Sequence, residues 1–313
     1  MLADVLRQFW LPGIHVVPLG PQSRLADWIG TGQYYFDGLV GPETATFVIT
    51  PGAGLGDIFA GEVLRFASAA FETATQVEQH RAHPRSLAWL IIQSYYSAYF
   101  AAHSLIRTTG VACTQFDGKT CSKIAEIADA LGMKGAPLTA GSYRCEYNPA
   151  SGRMEATRPG NKGVHEDFWR VFASFIRRSS DLIISTGTLP VQAAQVASSQ
   201  LDDLVSVLVL HGCNGGNWLS MVRNQVNYGH KLGTWFPDWP NKSSCDTLFT
   251  IQKRWRSDPE RIGMTNSDDM KRFLGACSFI VALCRTTILE MERRSPSQRS
   301  LLASMAHRFL RPV

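Results

Sequence analysis

From residue 61 onward the apolar residues recur at every third or fourth position, a spacing that gathers them onto one face only if the chain is α-helical. Over residues 86–109 the stripe comprises Leu87, Leu90, Ile91, Tyr95, Ala98, Tyr99, Ala102, Leu105 and Ile106, and Gly110 ends it. The same reading predicts helices over 61–79, 119–131, 165–185, 191–211, 217–232, 243–256 and 267–293, and a basic helix over 297–308. Pro84 separates the first two, and Asn217 is placed to cap the 217–232 helix. The expected fold class is mainly α, a helical bundle with extra helices at its C-terminal end.

Two stretches lack this period. Residues 1–60 are rich in Gly and Pro, with short apolar pieces such as Thr46 to Thr50. They read as a short strand or two and loops, an irregular N-terminal cap rather than an independent domain. Residues 132–163 read as a long Gly/Pro-punctuated connection carrying Arg144, Arg153, Arg158 and Lys162. Its basic residues suit an RNA backbone and equally suit a solvated loop. The expected division is a cap over 1–60 and a helical domain over 61–313, with its core at about 86–232 and a C-terminal extension over 243–313.

Composition narrows the partners. The 313-residue chain carries a net charge of +5, which permits a phosphate-bearing partner without demanding one. Arg outnumbers Lys by 23 to 8. Arginine pairs bidentately with phosphate and stacks on bases, although GC-rich coding gives the same bias. The seven cysteines are odd in number and form no CxxC, so neither a disulfide framework nor a zinc ribbon is indicated. No cofactor or metal is expected. Asp4 and Arg7 interrupt the first apolar stretch, and the run Leu204 to Leu210 is too short to span a bilayer. The expected compartment is the reducing cytoplasm, away from membrane.

The stretch from Trp218 to His230 is the most informative about chemistry. On a helix, Leu219, Val222, Val226 and Gly229 form an apolar stripe, with Arg223, Asn227 and His230 along one edge and Asn224 and Tyr228 further round. A guanidinium and an imidazole on one face suit cleavage of a phosphodiester by the neighbouring 2′-hydroxyl. His supplies a group that titrates near neutrality, and Arg supplies a fixed cation for charge growing on phosphate oxygens, so no metal is required. The bland alternative is a solvated helix edge with two ordinary polar residues. An Arg followed by His with four to six residues between occurs twice, as Arg223 to His230 and as Arg158 to His165. The second begins in the Pro/Gly-rich connection, so only the first has helical register.

Arg223-Asn224 followed by His230 resembles the signature of the HEPN superfamily, an Arg, a polar residue, then a spaced His. The segment Ser94-Tyr95-Tyr96-Ser97-Ala98-Tyr99-Phe100-Ala101-Ala102 resembles the first core helix of many HEPN domains. The resemblance covers roughly residues 86–232. It implies a HEPN-like bundle and a metal-independent endoribonuclease, with Arg223 and His230 as the catalytic pair and Asn224 as the polar helper. RNA is the implied substrate, with Asn227, Tyr228, Arg158 and Lys162 expected to contact it. It further implies a homodimer with a composite site, a role as a toxin or anti-phage effector, and a cognate antitoxin or regulatory protein. Members regulated by a nucleotidyltransferase carry Tyr two residues after the His, where this chain has Leu232, so adenylylation is not implied. The other reading is an inactive HEPN-type binding or scaffold module for nucleotide, RNA or a protein partner.

Overall fold

The computed structural model describes residues 2–20, 23–50, 52, 54–79, 87–235, 242–296, 300–304 and 310, with backbone alone at 242–244. Pro84, the prolines at 237 and 240 and most of the 297–308 helix lie outside the described residues.

Helices α1 (Leu2–Leu6) and α2 (Leu25–Ile29) open the chain, followed by strands β1 (Tyr34–Phe36) and β2 (Thr44–Ile49). Helices α3 (Leu55–Gln79) and α4 (Ala88–Arg107) then pack against each other. Strand β3 (Val111–Phe116), α5 (Gly118–Ala130), β4 (Gly141–Asn148) and β5 (Arg153–Thr157) come next. Helices α6 (Val164–Ser185), α7 (Val191–Leu208), α8 (Trp218–Asn227), α9 (Lys242–Lys253) and α10 (Asp269–Arg294) complete the described elements. The fold is mainly α, as the periodicity predicts.

Helix α4 is the axis of the assembly. It contacts α3, α10, α8 and α6, and Ala98, Ala101 and Ala102 are fully enclosed between neighbours. Small side chains at these turns let several helices approach one rod at once. Helix α10 is long and apolar enough to cross a bilayer, but 83% of its most apolar window is buried in this protein, where it works as a core helix. Cys277 and Cys284 are enclosed within it as free thiols.

Within the expected connection over 132–163, residues 141–157 instead form a β-hairpin. Tyr143, Cys145, Met154 and Ala156 are sealed inside, alternating with more exposed neighbours. That period of two is a strand signal. The turn signal is Asn148, whose side chain accepts the backbone N–H of Ala150. The hairpin sits within one antiparallel sheet of order β1-β2-β5-β4-β3. Pairing of β2 with β5, in the register Phe47 to Met154, joins the N-terminal strands to this sheet.

A buried ion pair knits the N-terminal residues to the helices. Arg107 Nε donates to Glu62 Oε2 at 2.6 Å, and Glu62 Oε1 accepts the backbone N–H of Leu25 at 2.8 Å. Burial pushes the Glu62 carboxyl up, but Arg107 and the Leu25 amide outweigh it and hold it below its usual value. His103, one turn earlier, is fully enclosed between the Phe66 and Phe168 rings, at 4.7 and 3.6 Å between centroids.

Candidate functional site

Helix α8 ends at Asn227, one turn short of the sequence expectation. The N–H of Lys231 bonds the carbonyl of Gln225 at 3.0 Å, and His230 takes the left-handed backbone conformation, φ 49°, that lets the chain turn away. This is the closing geometry of a helix C-terminus. Gly229 permits it, because a Cβ there would lie 2.8 Å from the Gln225 carbonyl. His230 is therefore not on the helix that carries Arg223. It is exposed and stacks on Trp235, 5.6 Å between centroids. The expected shared helical face of Arg223 and His230 does not form.

Arg223 instead faces a cleft of about 560 Å³ lined from α6 and α8. Lys162, His165, Glu166, Asn217, Asn224 and Lys231 are among its walls. Arg223 is only 3% exposed. Its guanidinium carbon lies 4.9 Å from the Tyr95 ring centroid, 5.7 Å from Tyr96 and 5.9 Å from Tyr228. Aromatic faces stabilise a cation without neutralising it. The acid in the cleft wall, Glu166, pairs with Lys162 at 3.5 Å. Among the described residues Arg223 has no carboxylate partner, and its buried Nε–H has no acceptor. An uncompensated cation at a cleft floor favours an anion above it.

The imidazole beside Arg223 is His165, in the first turn of α6. Trp169 Nε1 donates to the Tyr95 hydroxyl oxygen at 3.0 Å, and that hydroxyl bonds His165 Nδ1 at 2.8 Å. In the tautomer with its proton on Nδ1, His165 donates that N–H to the Tyr95 oxygen and keeps the Nε2 lone pair free to accept. Burial, and then the charge of Arg223, push the His165 imidazole down to about 4, so it is neutral near pH 7. Burial raises the Tyr95 hydroxyl, while Trp169, Ser220 and Arg223 act against that rise.

The remaining expected residues divide. Asn224 and Lys162 line the cleft. Tyr228 is 72% exposed and covers Arg223 from outside. Asn227 is half-buried and not part of the cleft lining. Arg158 is turned away, its guanidinium against Gly141 and 3.9 Å from Glu43 at the edge of the sheet. Tyr95 and Tyr99 are buried and support the cleft from beneath.

Sequence reasoning passed over His165 because its apparent partner, Arg158, lies in a loop without register. The usable signal was its place in α6. It falls three residues before Phe168 and seven before Phe172, on the apolar stripe, where a polar residue calls for a partner. Among the described residues, no group of three or more His, Cys, Asp or Glu side chains is placed to hold a metal ion. Comparison with family models, curated proteins and solved structures finds no match to this chain.

Proposed function

We propose that the chain is a metal-independent endoribonuclease whose reactive groups are Arg223 and His165. The observation that supports this reading is the uncompensated Arg223 cation beside a neutral imidazole at the floor of an open cleft. In the reaction, the RNA 2′-oxygen attacks the adjacent phosphorus. Its proton passes to His165, and the bond to the 5′-oxygen breaks. That oxygen takes a proton from a water molecule and leaves as a hydroxyl, the proton on His165 returns to the hydroxide so formed, and the other fragment keeps a 2′,3′-cyclic phosphate. Arg223 holds the phosphate oxygens as charge builds on them. A bound phosphate also offsets the repulsion between Arg223 and a protonated His165, which brings the imidazole toward a working range. Tyr95 is a positioning residue, holding the ring through Nδ1, and Asn224 orients the substrate from the α8 wall. The HEPN resemblance adds a homodimeric working form, a role as toxin or anti-phage effector, and a regulatory protein that restrains it.

The test is incubation of RNA in EDTA with the wild type and with Arg223→Met, His165→Gln and His230→Ala. Cleavage by the wild type and by His230→Ala, lost in the other two, is the expected pattern. Full cleavage by Arg223→Met removes the proposed cation, and cleavage abolished by EDTA removes the metal-free chemistry. The depressed titration of His165 favours one second reading, a cleft that binds a nucleotide or RNA without turnover, with no strong base present. Tight binding with no cleavage product in the same assay selects it.

A further inference from the structure

A second groove, of about 280 Å³, runs along α6 immediately beyond the cleft. Arg144 of β4, Thr157 of β5, and Arg170, Ser174, Phe175 and Arg178 of α6 are among its walls. Among the described residues, its lining holds no acidic side chain. Glu146 pairs with Arg144 and with Arg178, at 3.0 Å in the second case, and therefore offsets part of their charge. Arg170 donates to the Pro159 carbonyl at 3.0 Å and has no ion pair among the described residues. Gly160 leaves room for this arm, since a Cβ there would come within 2.8 Å of Arg170 Nη1 and 2.5 Å of the buried Asp167 carboxylate.

The two depressions share one wall. Lys162 and Glu166 line the cleft; Arg170, Ser174 and Arg178 continue the same ridge at intervals of four residues. Residues four apart lie one above another on a helix. From His165 to Arg178 the helix advances about 20 Å at 1.5 Å per residue. That is the length of about six stacked nucleotides in one strand at 3.4 Å each, or fewer extended ones. Guanidinium groups for phosphates, hydroxyls for sugar or phosphate oxygens, and a half-buried aromatic edge for a base form the usual kit for a single strand.

We infer that this arginine-lined groove is a backbone-binding track for single-stranded RNA, so the substrate is a polynucleotide that extends several residues from the scissile phosphate along α6. The inference rests on the reading of the cleft as the cleavage site. It also gives the β4–β5 hairpin a use, because the hairpin supplies the outer wall.

The experiment has two arms with full-length protein. In the first, a fluorescent 12-nucleotide RNA with 2′-O-methyl sugars, which cannot be cleaved by its own 2′-oxygen, is titrated against wild type, Arg178→Gln and Arg170→Gln. In the second, a dinucleotide and an unmodified 12-mer are compared as substrates. The expected result is at least fivefold weaker 12-mer binding for each variant and a salt-dependence slope lower by about one, as for loss of one phosphate contact. The 12-mer KM should rise while dinucleotide turnover stays unchanged. Arg178 is 66% exposed, so its variant keeps the fold, and its thermal melt checks this. Equal 12-mer affinity for both variants and wild type overturns the track. Binding that depends on these arginines with no cleavage of either substrate keeps the track and overturns the nuclease reading.

Discussion

Two buried arginines, both on the same bundle, show how the same side chain becomes structural in one place and reactive in another. Arg107 is 2% exposed and Arg223 3%. Arg107 meets a carboxylate at 2.6 Å, the backbone carbonyl of His103 and that of Cys113, so its charge is spent inside the protein. Arg223 meets tyrosine faces and an open cleft, and its charge is left to act on whatever enters. The difference lies in the neighbours. Helix α3 presents Glu62 to one arginine, and α4 presents Tyr95 and Tyr96 to the other. Burial by itself therefore says little about the role of a charged residue; the partner decides.

The comparison predicts opposite responses to removal. Arg107→Ala strands Glu62 without its cation and should cost about 3–5 kcal/mol of stability, read by urea unfolding. Arg223→Met keeps a packed stem against Tyr95 and removes a charge that had no carboxylate. Its unfolding midpoint should stay close to wild type while RNA cleavage falls by about 10²–10³-fold, the usual cost of losing one preorganised transition-state donor. A destabilisation by Arg223→Met as large as that of Arg107→Ala would erase the distinction.

A smaller effect should appear in acid. Folded His165 stays neutral down to about 4, whereas in the unfolded chain it takes a proton near the ordinary value of 6.5. In that window the unfolded state binds more protons, so stability contributed by this site falls as pH drops from 6.5 toward 4 and then levels off. His165→Gln should flatten that part of a thermal-melt series against pH, and an unchanged series would mean the imidazole is freely hydrated. Least affected should be His230→Ala. An exposed residue beyond the helix end should change stability by no more than about 0.5 kcal/mol, and RNA cleavage by about twofold at most. A loss of cleavage comparable to that of His165→Gln would return His230 to the site.

Much of the bundle was legible because helical periodicity is local. The segments containing Phe168 and Phe172, or Phe273 and Phe279, needed no distant partner to be read. The β4–β5 hairpin was hidden, since short strands with mixed polar residues such as Arg144 and Glu146 look like loop until their partners are known. Half of the candidate pair was legible too. Arg223 and Asn224 line the cleft, but His230 was placed by extrapolating a helix through Gly229, where the chain turns off.

The sequence by itself determined that the chain is mainly helical and that Arg223 sits at the edge of an apolar stripe, because spacing along one helix fixes which residues share a face. Only the tertiary structure decided which imidazole faces that arginine. His165 reaches it from α6, with Tyr95 of α4 between, and three helices distant in the chain converge through packing that no local period encodes.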